Sequence, residues 1–348
     1  MTVVYVCERR ELTRGLGGHT RRRGIVSGLQ SQGLIVQVVE VDRPQNRLPE
    51  LLAFWKASLD SLKDGHTADG HRTSIYVEGL PLAMGIVRTI RRDNPSLYLH
   101  VDICDSWIQL SRMARTKNRV FSAAVRLLKG FLAKFVLGLV TPCVDSLSYI
   151  SESDRDADAA FLRGKATELI VPNSADYQGS KPRPIRPNSG GPLCAIGDWS
   201  YLPNMRMLEE TLVWFGTLDN RSKITLNLIG PGLEHFTPSV SNIVVKGWQE
   251  DLPAALDGCL AVISLVREGA GIKNKILTPL SWGLPVIALR EGTNGIPASA
   301  GLVVADTLTA DETILRVRGL IQDGFAPPRV PQWHDAVGAL AIELRTKE

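Results

Sequence analysis

The stretch "CLAVISLVREGAGIKNKILTPLSWGLPVIAL", Cys259 to Leu289, decides the reading of the fold. An apolar run is broken at Glu268-Gly269-Ala270-Gly271, helical spacing begins near Ile272, and a second apolar run closes at Leu289. Apolar run, glycine loop, helix and apolar run make a βαβ unit, whose two strands are parallel. The glycines let backbone approach a ligand closely. The helix start offers free N–H groups and the positive dipole end to an anion, with Lys273 and Lys275 as point charges around Asn274. This loop suits a diphosphate; taken alone, it suits equally well a tight turn followed by solvated lysines.

Outward from this unit the same alternation repeats. Upstream lie "VVYVC" at 3 to 7, "LIVQVVEV" at 34 to 41, "SIYVEG" at 74 to 79, "LYLHVDI" at 97 to 103, "SLSYIS" at 146 to 151 and "ELIVPN" at 168 to 173. Closer by are "LCAIG" at 193 to 197, "KITLNLIG" at 223 to 230, "NIVVKGW" at 242 to 248 and "GLVVAD" at 301 to 306. Near-continuous β-branched runs separated by helical stretches predict parallel sheets covered on both faces. Five prolines and three glycines between Pro172 and Pro192 interrupt the alternation as a linker would. The expected organisation is a Rossmann-like domain over 1–178, a linker over 179–191, a second such domain over 192–330, and a C-terminal helix over 331–348 that packs back on the first domain. Ligands of such sheets sit beyond the carboxyl ends of the strands, so two of them facing each other predict one cleft that holds the chemistry.

The totals agree with a globular chain of two domains: 348 residues, 44% hydrophobic, mean hydropathy +0.01. No run of about 20 uncharged apolar residues is present, and the N-terminus lacks the pattern of a signal peptide, which predicts a cytoplasmic protein. The five cysteines are scattered without metal-ligand spacing and read as small buried hydrophobes. Of the net charge of +4, residues 1–175 carry +6 and the rest −2. That suits an anionic partner but is far from the concentrated charge of a dedicated nucleic-acid binder.

"EGAGIKNKILTPLSWGLPVIA" followed by "EGTNGI" resembles the nucleotide-sugar signature of retaining GT-B glycosyltransferases, in the group-1, family-4-like branch of polysaccharide biosynthesis. "LIVPNSAD" (169–176), "AIGDWSYLPN" (195–204), "VVKGWQEDLPAALDGCLAVISLV" and "DICDSW" (102–107) are similar to other segments of that family, in the same order. The resemblance implies an α/β GT-B fold and transfer of a sugar, with retention, from a nucleoside diphosphate sugar to a hydroxyl of a glycan, a lipid-linked saccharide or a small molecule. It implies no metal and no cofactor beyond the nucleotide sugar itself. The donor would be held by Gly17, Gly18, Asn173, Gly269, Gly271, Ile272, Lys273, Asn274, Lys275, Thr278 and Gly295, with Glu268 and Asp105 as catalytic groups.

The family's E-x7-E pattern is not reproduced. Ala270 stands at the first acidic position, with Glu268 two residues earlier as its substitute, and Thr278 stands at the second. Asp198 and Asn204 occupy the region of the family's basic pair, which leaves Lys273 and Lys275 to supply the phosphate charge. A GT-B-shaped nucleotide-sugar epimerase or hydrolase, or a non-catalytic binding protein, are the alternatives.

Other constellations remain. "TRGLGGHTRRRG" (13–24) places glycines between the first strand and first helix, resembling the loop that closes over the donor, while at least two of Arg21, Arg22 and Arg23 are expected in solvent. Asp105 either orients an acceptor hydroxyl or caps the helix starting near Trp107; His100 is expected to be structural. The D-x-D at 154–156 follows Ser151 in a capping pattern, which argues against a metal. From Ser106 to Val144 seven basic residues and no acid occur, interleaved with large apolar residues. Over 112–137 this predicts either a basic amphipathic helix at the inner face of an anionic membrane or an ordinary helix with its apolar face on the sheet.

Overall fold

The computed structural model describes residues 1–9, 17–42, 73–113, 119–174, 185–219, 223–238, 240–267 and 272–346. The chain divides into two compact units, Met1–Asn173 with Pro331–Glu348, and Ser174–Val330.

The first unit runs β1 (Thr2–Arg9), α1 (Gly17–Ser31), β2 (Ile35–Asp42), β3 (Thr73–Glu78), α2 (Leu80–Asp93), β4 (Tyr98–Cys104), α3 (Trp107–Met113), α4 (Arg119–Val140), β5 (Ser146–Tyr149), α5 (Glu152–Ala159) and β6 (Thr167–Ile170). Its sheet has the order β2-β1-β3-β4-β5-β6, and every pairing is parallel. The second unit runs β7 (Leu193–Ile196), α6 (Leu202–Phe215), β8 (Leu226–Ile229), β9 (Ile243–Gly247), α7 (Leu252–Leu256), β10 (Ala261–Ser264), α8 (Asn274–Ser281), β11 (Val286–Ala288), β12 (Leu302–Val304) and α9 (Ala310–Asp323). Its sheet, again parallel, has the order β12-β11-β10-β7-β8-β9.

Both sheets bury both faces, which is why their strands read as unbroken apolar runs rather than alternating ones. In the first unit Val4, Val6, Ile75, Val77, Leu99 and Val101 pack under α2 and α4, while Val3, Tyr5 and Tyr76 pack under Ile25 and Leu29 of α1. The chain returns to the first unit in α10 (Trp333–Ala336) and α11 (Gly338–Thr346), whose Trp333, Val337, Leu340 and Leu344 complete that second layer. Gly24 and Gly28 make the close approach possible: a Cβ at Gly24 would lie 1.9 Å from the Trp333 ring, and one at Gly28 would lie 2.8 Å from the Trp333 carbonyl oxygen.

Residues 179–184 of the expected linker lie outside the described residues. Beyond them, Ile185 N–H donates to Trp282 O and Asn188 N–H to Cys259 O, so this segment is tied to the second unit. The cysteines are all free thiols; Cys7, Cys194 and Cys259 are buried, whereas Cys104 and Cys143 are only half-buried.

Candidate functional site

In the second unit the strand order reverses at one place. From β7 the chain moves outward through β8 to β9, and from β10 it moves the other way through β11 to β12. The carboxyl ends of β7 and β10 therefore flank a switch point, where a doubly wound sheet leaves room for a ligand.

The β7–α6 loop is shaped by backbone contact. Gly230, at φ +123°, packs so tightly that a Cβ there would lie 1.8 Å from Gly197 O. Asp198 folds on itself, its Oδ1 accepting from Ser200 N at 3.0 Å and Ser200 Oγ at 2.5 Å. Asn204, in the first turn of α6, donates from Nδ2 to Asp198 O at 2.8 Å, and this fixes the direction of its amide. Its Oδ1 accepts a hydrogen bond from Lys275 Nζ, which comes across the switch point from α8. Lys275 Nζ also lies 3.9 Å from Met207 Sδ. Burial, reinforced by the charge of Lys273, lowers the Lys275 ammonium from its ordinary value to about 8. Among the described residues no carboxylate pairs with it, so a half-buried cation is left with neutral partners.

Ile272, Lys273, Asn274 and Lys275 are together at the start of α8, where Lys273 is the capping residue. Thr278 follows one turn after Asn274 and is 8% exposed, so a hydroxyl rather than a carboxylate occupies this buried position. Gly295 sits in an exposed turn at φ +72°. Gly292 lies closer in: a Cβ there would be 3.3 Å from both Val266 O and Ile276 Cδ1, and the sequence reading passed over it. Glu268, Gly269 and Gly271 lie outside the described residues.

The first unit has a separate polar assembly on one face of its sheet. Tyr5, Tyr76, His100 and Ser146 are register partners across β1, β3, β4 and β5, and Glu78, Asp102 and Ser148 form the next row toward the carboxyl ends. His100 is held between Ser146 Oγ at 2.7 Å and Ser148 Oγ at 3.0 Å, stacked obliquely on Tyr76, and burial lowers its pKa to about 4. It is a neutral structural group, as its place inside the strand suggested.

The arginines correct the sequence reading. Arg21 and Arg22 are buried, and of the three only Arg23 is exposed. Arg21 meets Asp102 through two bonds, Nε to Oδ2 at 3.0 Å and Nη2 to Oδ1 at 2.9 Å. Arg22 meets Glu78 likewise, at 2.7 and 3.1 Å. Burial alone would push Asp102 up, but the Arg21 charge and the hydrogen bonds from Arg21 and Ser148 outweigh it and hold the carboxyl below its ordinary value. The available signal was spacing: Arg21 is in i, i+4, i+8 register with the core residues Ile25 and Leu29.

Asn173 is drawn into this assembly, its Oδ1 accepting from Arg21 Nη1 at 3.1 Å beside Val171 O at 2.8 Å. Gly17 and Gly18 form the first turn of α1 instead of a loop before it, which still leaves their N–H groups at a helix start. Asp105 does not cap α3, because Ser106 does so, its Oγ accepting from Gln109 N at 3.0 Å. Asp105 follows Cys104, which stands at φ +64° just after a register shift in β4. Such a left-handed residue re-aims the chain at the carboxyl edge.

The D-x-D is structural. Ser151 Oγ caps α5 by accepting from Asp154 N at 3.2 Å, and Asp154 Oδ1 accepts from Ser106 N at 2.9 Å. Asp158 completes the grip on α3 through Ser106 Oγ at 2.6 Å and Ile108 N at 3.2 Å. Asp156 pairs with Arg155 in solvent.

The sequence matches no protein-family model and no curated protein. Solved structures do match it. Sucrose-phosphate synthase from Thermosynechococcus elongatus is similar at TM-score 0.66 and 10% identity, over 99% of this chain and 94% of that one. The Escherichia coli structure described as trehalose-6-phosphate bound with UDP-2-fluoro glucose is similar at TM-score 0.61 and 10% identity, over the whole of both chains. Anabaena HepE in complex with UDP and glucose is similar at TM-score 0.58 and 11% identity, over 99% and 95%. Two parallel six-stranded sheets layered with helices, matched along the length of these enzymes, give the chain the fold of the GT-B glycosyltransferases.

Proposed function

We propose that this protein is a retaining, metal-independent glycosyltransferase of the family-4-like branch, moving a sugar from a nucleoside diphosphate sugar to an acceptor hydroxyl. One observation carries the reading: Lys275, a half-buried ammonium with no carboxylate partner among the described residues, sits at the switch point beside the start of α8. An anion is what this arrangement lacks. A diphosphate there would gain the Lys275 charge, the Lys273 charge and the positive dipole end of α8. Stabilising the departing diphosphate in this way is the main catalytic work, and it is strongest in a site that excludes water.

Glu268, Gly269 and Gly271 complete the donor loop in this reading, with Thr278 and Gly295 at its border. Glu268 contacts the transferred sugar in place of the family's first acid. Gly17 and Gly18, through their helix N–H groups, and Asn173, as an anchored amide, serve the donor, and Asp105 orients the acceptor hydroxyl. The UDP and UDP-sugar ligands of the neighbours above support uridine as the first nucleotide to test.

Calorimetric titration of UDP and UDP-glucose into the wild type and Lys275→Ala tests the reading. Binding to the wild type, weakened about tenfold or more in the variant, is expected for one charge-assisted contact of about 1.5 to 3 kcal/mol. Equal affinity in both proteins would remove Lys275 from the site. Donor binding without sugar transfer or release would instead favour a binding protein, for which the buried Thr278 at the second acidic position is the supporting observation.

A further inference from the structure

α4 has two apolar faces, and only one of them has a partner among the described residues. Ala133, Val136, Leu137 and Val140 enter the core of the first unit. On the other side Leu127, Leu128, Phe131, Leu132 and Phe135 are 77, 60, 67, 47 and 54% exposed. At about 100° per residue these five span an arc of about 140° centred opposite the core-facing residues. They therefore form one stripe, not scattered exposed side chains, and a stripe of large apolar groups marks an interaction surface.

Charge identifies the occupant. Lys134 lies at one border of the stripe and Lys129 about 60° beyond the other, and both are exposed. Lys134 leans its Nζ over the Phe161 ring at 4.6 Å, which keeps the ammonium at the edge of the stripe. The sequence from Ser106 to Val144 adds five more basic residues and no acid. We infer that α4 lies in the plane of an anionic lipid surface, its Leu and Phe side chains in the acyl boundary and its lysines among the headgroups. A second copy of the chain is the poorer occupant, since an isologous contact would set this acid-free basic segment against itself. No helix of the described residues is long and apolar enough to cross a membrane, so the helix rests on the surface. The inference is independent of the donor site.

Cosedimentation of the full chain with vesicles tests it. Phosphatidylcholine vesicles containing phosphatidylglycerol are expected to bind the wild type, and pure phosphatidylcholine vesicles are not. Binding should weaken with salt, drop by about tenfold or more in Phe131→Ser/Phe135→Ser, and drop by less in Lys129→Gln. Both sets of side chains are exposed, so an unchanged melting temperature establishes that the variants are folded. Failure of the wild type to bind anionic vesicles, or equal binding by the double variant, would overturn the inference. So would a dimer that the double variant dissociates while the vesicles stay bare, which would assign the stripe to a second copy.

Discussion

Arg21 and Asp102 lie 81 residues apart in sequence, yet their side chains meet through two parallel bonds of 3.0 and 2.9 Å with almost no exposure to solvent. The pair ties the start of α1 to the end of β4, and through Nη1 it also holds Val171 O and Asn173 Oδ1. Three segments that reach the carboxyl edge of the first sheet are thus fixed by one guanidinium.

Removing one partner of this pair leaves an uncompensated buried charge. Arg21→Met and Asp102→Asn are each expected to lower unfolding free energy by about 3 to 5 kcal/mol. Arg21→Met combined with Asp102→Asn should cost less than the sum of the single changes, because no orphan charge remains. Urea denaturation of the four proteins checks this; additive losses would mean that the two side chains are not coupled.

The pKa of His100 dictates a pH dependence. In the folded chain it is held near 4, below its ordinary value of 6.5, so the folded state binds fewer protons between these limits. Its contribution is present above pH 6.5 and lost as pH falls toward 4, by up to about 3 kcal/mol. Stability curves for the wild type and His100→Gln should differ in slope in that window only. Parallel curves would show that His100 is not the titrating group.

Lys275 should produce two opposite trends above neutral pH. Its folded pKa of about 8 is depressed from 10.5, so the free protein becomes more stable as pH rises between these values. Affinity for UDP should move the other way, falling about tenfold once only about a tenth of the lysines is charged, near pH 9. Lys275→Gln should abolish both trends, which thermal melts and titrations across pH 7 to 10 can follow. A UDP affinity flat with pH would separate the lysine from the ligand.

Gly24→Ala provides a test of packing. In an exposed helix this change stabilises by about 1 kcal/mol. Here the new methyl would lie 1.9 Å from the Trp333 ring, so a loss of about 1 to 3 kcal/mol is expected together with increased proteolysis after residue 330. A rise in melting temperature would contradict the contact between α1 and α10.

Much of the fold was legible because its signals are local. The apolar runs at 193 to 197 and 259 to 266 became β7 and β10, and α8 begins at Asn274, within a few residues of the expected start. Parallel strands buried on both faces must be apolar throughout, and this holds whatever the rest of the chain does. The grouping of Ile272 to Lys275 at a helix start followed for the same reason, since neighbours along the chain remain neighbours in space.

What the tertiary structure decided concerns charges whose partners are remote. Arg21 and Arg22 look like a solvated basic run until the sheet brings Asp102 and Glu78, 81 and 56 residues away, to their side of the edge. Lys275 looks like an ordinary helix-start lysine until Asn204, 71 residues earlier, meets it across the switch point. The outer face of α4 likewise differs from a core face only in what packs against it. Pattern along the chain determines secondary structure and layering; the protonation, pairing and exposure of a side chain depend on which groups the folded sheet places beside it.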